Sequence, residues 1–329
     1  MKYFKFLLLA LGFYILFVTV RSVGLHTLAN NVLELKWKLV PLALIYPVIF
    51  ALDTLGWSFA FPKSLPKHVP FRGLYAIRVI GETLNAVIPW AASLGGEPVK
   101  AELLKSRHGV PLAEGFASIL IVHTTFWLSL NLFVIGGLAL TFKTLPLTPV
   151  LWKSVLAFLV VLGLMALLGI IGLHLGIFQR VHGIGENFKW WGEGSSEKLS
   201  RYLKLDADIK EFYSANRARF FLSTLFGFLG WFAGTFEVWW IAHILGMGLT
   251  FTEAWLFESL IQVLRIVTFF IPASIGAQEG GIILIFSQFG FPDPISLTFA
   301  LVRRLREIVW VGCGLLLWGL IEDRPKLKT

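Results

Sequence analysis

The side chains that could do chemistry in this chain are ionisable and amide groups set inside apolar sequence. One group comprises Glu82, Asn85, Glu97, Lys100 and, further along, His123; a second comprises Glu258, Gln262, Arg265, Gln278, Glu279, Arg303 and Arg304. A charge within hydrocarbon is costly, so each such residue is expected to face a bundle interior or a cavity and is a functional candidate by default. Two chemistries are open to these residue types. Buried carboxylates can act as general acids and bases, and guanidinium groups hold phosphate or carboxylate through forked hydrogen bonds. The competing reading is structural. Arg78 and Glu82 are four apart on a helix and can neutralise one another. A lone histidine such as His123 is most often a satisfied core group, and Asp53, Glu237 and His243 read first as hydrogen-bonded structural residues. Arg303, Arg304, Arg306 and Glu307 are too closely grouped to face lipid and are expected either to line the bundle, the favoured reading, or to lie in the outer headgroup layer.

Other chemistries lack their residues. Cys313 is the single cysteine, so neither a disulfide framework nor a cysteine metal site is expected. The seven histidines form no His-x-x-x-His pair with a neighbouring carboxylate. There is no Gly-x-Ser-x-Gly elbow and no Gly-rich loop ending in Lys-Ser/Thr. No metal, cofactor or catalytic nucleophile is therefore expected. The net charge of +9 would suit nucleic acid in a soluble chain. In an apolar chain, Lys and Arg first report topology by gathering on the cytoplasmic side, and no nucleic-acid partner is expected.

The elements that must position these groups are apolar helices. Of 329 residues, 56% are hydrophobic and 15% charged, with a mean hydropathy of +0.75, more apolar material than a soluble domain of this size can bury. The predicted fold class is an all-α integral membrane protein. Apolar runs at 4–20, 39–61, 112–142, 149–178, 220–245 and 295–321 mostly reach the roughly 20 residues that cross a hydrocarbon core, predicting about six full spans. Lys2 and Lys5 precede the first run as in a signal peptide, but Arg21-Ser22-Val23 offers no small-x-small cleavage site, so an uncleaved span is expected. The polar tract 179–219, with eight Lys and Arg, reads as a cytoplasmic linker whose 195–219 part forms amphipathic helix on the membrane surface. Lys2, Lys5, Lys67, Arg324, Lys326 and Lys328 then fall on the same side, giving cytoplasmic N- and C-termini. Only Arg21, Lys36 and Lys38 fall outside against the rule.

Two further segments, 71–104 and 251–289, are apolar but broken by Pro, Gly and charge, and they resemble each other. Ala-Ser-Leu-Gly at 92–95 returns as Ala-Ser-Ile-Gly at 273–276, and Gly-Val-Pro at 109–111 returns as Gly-Phe-Pro at 290–292, both at an offset of 181 (273 − 92 and 290 − 109). Lys100, Lys105, Arg107 and His108 follow the first copy and Asp293 alone follows the second, which places the copies on opposite faces. The expected architecture is a single polytopic domain over 1–329, with inverted-repeat halves at about 39–178 and 220–321 joined by the linker 179–219. Each broken segment is predicted to be a re-entrant hairpin. A descending helix (71–88 or 251–270) leads to a turn carrying Pro89 and Gly96 or Pro272 and Gly276. A short returning helix then starts near Glu97 or Glu279, its N-terminus favouring an anion. Unpaired backbone groups cost several kcal/mol each in hydrocarbon, so such breaks persist only against protein or a water-filled cavity. Matching breaks in inverted halves point to a transporter-type site near the bilayer midplane. Glu258, Gln262 and Arg265 share one helical face, and at the common offset Arg304 corresponds to His123.

The stretch ETLNAVIPWAASLGGEPVKAELLKSRHGVPLAEGFASILI resembles the first signature of the lysylphosphatidylglycerol synthase transmembrane-region family, also called flippase-like membrane proteins. FFIPASIGAQEGG followed by GFPDPISLTFALVRRLREIVW resembles the second, and the AQEGG form resembles the hopanoid-biosynthesis-associated branch. The resemblance marks Asn85, Pro89, Gly96, Glu97, Lys100, Pro272, Gly276, Glu279 and Arg304. Two departures stand against it: Trp90-Ala91-Ala92 where members often carry Arg or Lys, and His123-Thr124 where they often carry Glu-Arg.

The resemblance implies a lipid translocase, or a lipid-binding component of one, in the bacterial inner membrane. Its cargo would be an anionic phospholipid or a hopanoid, and its partners membrane lipids and lipid-synthesis enzymes. Arg265 and Arg304 would contact an anionic head; Glu97 and Glu279 either favour a cationic head or hold those arginines. Bifunctional members append a soluble aminoacyl-transferase domain. The chain read to Thr329 shows none, so handling of lipid without its modification is expected. Two other readings stay open: a membrane-embedded enzyme with Glu82, Glu97 or Glu279 as acid or base, and a non-transporting partner of lipid-synthesis enzymes.

Overall fold

A computed structural model describes residues 35–87, 95–141, 149–174, 195–268 and 277–322. The expected first span and the turn residues Pro89, Pro272 and Gly276 lie outside the described residues. Within them the chain is helical, with no strand. A short 3₁₀ turn, Lys36–Leu39, leads into α1 (Val40–Phe59); α2 (Phe71–Val87), α3 (Glu97–His108), α4 (Leu112–Thr141) and α5 (Pro149–His174) follow. After α6 (Ser195–Ala215) come α7 (Arg217–Ile244), α8 (Phe251–Val267), α9 (Ala277–Ser287) and α10 (Asp293–Glu322).

Among the described residues, three helical stretches are long and apolar enough to cross a membrane: Lys36–Phe59, Leu112–Leu140 and Arg217–Ile244. At 30 residues α10 is also about 45 Å long, but Arg303, Arg304, Arg306 and Glu307 occupy its middle. The two broken segments resolve into a 17-residue helix followed by a short one, α2 then α3 and α8 then α9. Gly109, at φ +64°, ends α3 in the left-handed conformation glycine adopts without strain. A reciprocal capping box between Thr250 and Glu253 starts α8.

The succession long helix, 17-residue helix, short helix, 30-residue helix thus occurs twice, as α1–α4 and as α7–α10. The packing between the two sets is reciprocal. The 17-residue helix of each set lies against the 30-residue helix of the other, α2 on α10 and α8 on α4, while α1 and α7 pack along one another. Glycines permit the close approach. A Cβ on Gly56 of α1 would stand 3.2 Å from the Ser223 carbonyl of α7, and one on Gly314 of α10 would overlap the Thr83 side chain of α2. Along α7, Gly230 leaves room for Asp53 and Gly234 for Glu258, so this glycine face opens space for charged groups in the bundle interior.

Residues 195–219 divide between two helices: α6 packs against α4, α5 and α7, and Arg217–Arg219 already belong to α7. Leu205, Ile209 and Phe212, at i, i+4 and i+7, are buried in the same core cluster as Ile121 and Val122 of α4. The Tyr213 hydroxyl also pairs with that of Thr124. The apolar stripe Leu205, Ile209 and Phe212 of α6 is thus met by protein.

Candidate functional site

The first charged cluster is assembled where α2 and α3 meet α1 and α4. Asn85, near the end of α2, accepts the Gly96 N–H on its Oδ1 at 2.7 Å and donates through Nδ2 to Glu97 Oε1 at 3.0 Å. It therefore clamps the start of α3 to the end of α2. Gly96 makes the clamp possible, since a Cβ there would overlap the Gly81 carbonyl. Glu97 opens α3, so the anion expected at this helix N-terminus is the protein's own carboxylate. Lys100, with 1% of its side chain exposed, runs its stem across Gly81 and donates at 2.8 Å to both Glu82 Oε1 and Glu97 Oε1. Arg78 lies 3.3 Å from Asp53 of α1 and 3.4 Å from Glu82, with its guanidinium 4.8 Å from the Phe126 ring centre. On the far side, His123 Nε2 of α4 is 3.3 Å from Glu97 Oε2.

The second cluster joins α7, α8, α9 and α10. Arg303 donates to both carboxylate oxygens of Glu258, Nη1 at 2.6 Å and Nη2 at 3.4 Å, and its Nε lies 3.5 Å from Glu237. Gln262 donates to Glu258 Oε1 at 2.5 Å. Arg306 pairs with Glu237 and places its guanidinium 3.9 Å from the Tyr46 ring centre of α1. Arg304 spans two acids, donating through Nε to Glu279 at 2.7 Å and through Nη1 to Glu307 at 2.8 Å. Gln278 is buried beside Glu279 at the start of α9. Arg265 differs from the other arginines. It is half-buried within electrostatic reach of Glu307 and Tyr46, yet no described residue forms a hydrogen bond or ion pair with its guanidinium.

The residues named from sequence therefore fall into two groups: Glu82, Asn85, Gly96, Glu97, Lys100 and His123 in one, and Glu258, Gln262, Arg265, Gln278, Glu279, Arg303 and Arg304 in the other. Asp53, Arg78, Glu237, Arg306 and Glu307 complete the clusters and were not chosen as site residues. Their charge within apolar sequence was the available signal: it already set Arg306 and Glu307 among the bundle-lining candidates, whereas Arg78 read as a local ion pair with Glu82 and Asp53 and Glu237 as hydrogen-bonded structural residues. Gly81 and Tyr46 gave no signal, because only tertiary packing brings them to a charge.

Residues 5–313 match the family described as the lysylphosphatidylglycerol synthase transmembrane region. The chain belongs to that family. Both clusters lie within the matched residues, and family membership together with the apolar helices makes this a membrane protein. The chain is similar to a UPF0104 membrane protein of Methanothermobacter thermautotrophicus, 24% identical over 279 residues that cover 78% of this chain and 77% of the relative. No solved structure matches.

Proposed function

We propose that this family member is a lipid translocase, or the lipid-binding component of one. The polar head of an amphiphile enters the bundle between the α2–α3 and α8–α9 pairs while its tails remain in the bilayer. The observation that carries the reading is Arg265: a half-buried guanidinium without a described partner, beside a cluster whose other arginines are held by carboxylates. An anionic head, phosphate above all, is the ligand a free guanidinium fork fits. Arg304 is engaged by Glu279 and Glu307, so its part is to fix α9 to α10.

In this reading the helix pairs are re-entrant hairpins entering from opposite faces. The halves are inverted, about six spans cross the membrane, and both termini are cytoplasmic at a bacterial inner membrane. The repeated helix order and the reciprocal packing support inverted halves, because rocking one against the other exposes a central site alternately to each leaflet. The cargo is an anionic phospholipid or a hopanoid derivative, with lipid-synthesis enzymes as the natural neighbours. An enzymatic role has less support, since the carboxylates of both clusters are engaged by cations.

The test is leaflet exchange of labelled anionic, zwitterionic and hopanoid lipids in proteoliposomes. Exchange by the native protein that falls at least tenfold for anionic lipids in Arg265→Gln, with every lipid recovered unaltered, is the expected result. Absence of exchange by folded native protein across the lipid panel would overturn the reading, and chemical conversion of a lipid would replace it with the enzyme.

A further inference from the structure

The two clusters differ in charge balance. The second sets Glu237, Glu258, Glu279 and Glu307 against Arg265, Arg303, Arg304 and Arg306, four of each sign. The first sets Asp53, Glu82 and Glu97 against Arg78 and Lys100, three against two. Among the described residues the first cluster therefore holds one more carboxylate than cations, and an uncompensated carboxylate inside a bundle costs several kcal/mol.

The deficit has an address. Glu97 Oε1 is taken by Lys100 and Asn85, but Oε2 is buried with no hydrogen-bond partner, and Glu97 as a whole is only 7% exposed. Its neighbour at 3.3 Å, His123 Nε2, is likewise buried and unpartnered. One proton on Nε2 satisfies both atoms. The His123 side chain is nevertheless 31% exposed, so the rest of the ring, with Nδ1, is open to a second proton that supplies the missing positive charge.

Among the described residues the charged groups around His123 come from α1, α2 and α3. Glu97 and Lys100 face it from α3, with Glu82 and Arg78 of α2 and Asp53 of α1 behind them. On α6, Tyr213 bonds to the adjacent Thr124; on α7, Ser223 bonds to Thr125. At this level α5 presents Gly169 against Thr124. The contact of α8 with α4 at Gly136 and Gly137 lies about 20 Å further along the helix.

We propose that Glu97 and His123 form a proton-binding site whose loading and release drive the first half of the molecule during lipid exchange. The coupling rests on the translocase reading; the proton site does not. With His123 protonated, the cluster is neutral and the α2–α3 pair is locked to α4. When the second proton leaves Nδ1, the net negative charge returns and favours an opening that hydrates Glu97. Glu279 is excluded from this role because Arg304 already balances it.

The test uses full-length protein in nanodiscs with ¹⁵N-labelled histidine rings, His123→Gln assigning the signal. The native ring is expected to carry protons on both nitrogens near neutral pH. In Glu97→Gln the signal of the second ring proton should be lost under the same conditions, while the other six histidine signals, of seven in the chain, stay in place and report an intact fold. A singly protonated His123 in native protein, or release unaffected by Glu97→Gln, overturns the site. In proteoliposomes, native exchange should change at least about threefold under an imposed pH gradient, and Glu97→Gln should lose that response. Native exchange indifferent to the gradient overturns the coupling. Proton binding as expected without any lipid exchange would leave the site standing and remove the translocase reading.

Discussion

Both charged clusters sit where a 17-residue helix gives way to a short one, and both are braced by a 30-residue helix of their own set. They are built from different cations. In the second, arginine forks reach several carboxylates at once, tying α7, α8, α9 and α10 together. In the first, a lysine serves two glutamates as a point charge, an asparagine clamps the turn, and a histidine stands at the margin. The difference separates a charge-balanced knot, suited to holding structure around one available guanidinium, from a cluster whose charge can change. Positions that share the 181-residue offset also differ in chemistry: Arg304 corresponds by offset to His123, yet one is bound to two acids and the other faces one.

The comparison breaks most readily at Arg303. Replacing it by Ala leaves Glu258 and Glu237 short of a buried cation and should cost about 3–5 kcal/mol, read as loss of folded protein in detergent thermal unfolding. Lys100→Met leaves Glu82 and Glu97 without the cation they share, should cost about 3 kcal/mol and should exceed the cost of Arg265→Gln by the same assay. Glycines near the starts of α3 and α9 offer a finer contrast. Gly96→Ala drives a methyl into the Gly81 carbonyl and should cost about 1–3 kcal/mol, whereas Gly280→Ala meets no atom within 4 Å and should be neutral or slightly stabilising. Thr250→Ala removes the α8 capping box at about 1 kcal/mol, a change visible as faster amide exchange at the start of that helix alone. The smallest effect on stability belongs to Arg265→Gln, within about 0.5 kcal/mol, although its effect on anionic-lipid exchange should be large.

Much of the fold was legible. The helix pairs were bounded to within a few residues by their Pro, Gly and charge punctuation, with α2 and α3 found at 71–87 and 97–108 and α8 at 251–267. The 181-residue offset anticipated the repeated helix order, which follows from residue types that backbone geometry demands locally. The placement of α6 was not legible, because an amphipathic stripe reads the same whether it meets lipid heads or the side of α4.

By itself the sequence determined an apolar helical membrane protein with two broken segments and charges too costly to leave facing lipid. Composition and periodicity act locally and suffice for that. Only the tertiary structure decided which charge meets which: Asp53 with Arg78 across 25 positions, Glu237 with Arg306 across 69, and His123 with the free oxygen of Glu97. Coulomb energy depends on separation and on the medium between the groups, and chain position fixes neither. The charge balance that distinguishes the two clusters therefore emerges only when the helices are packed.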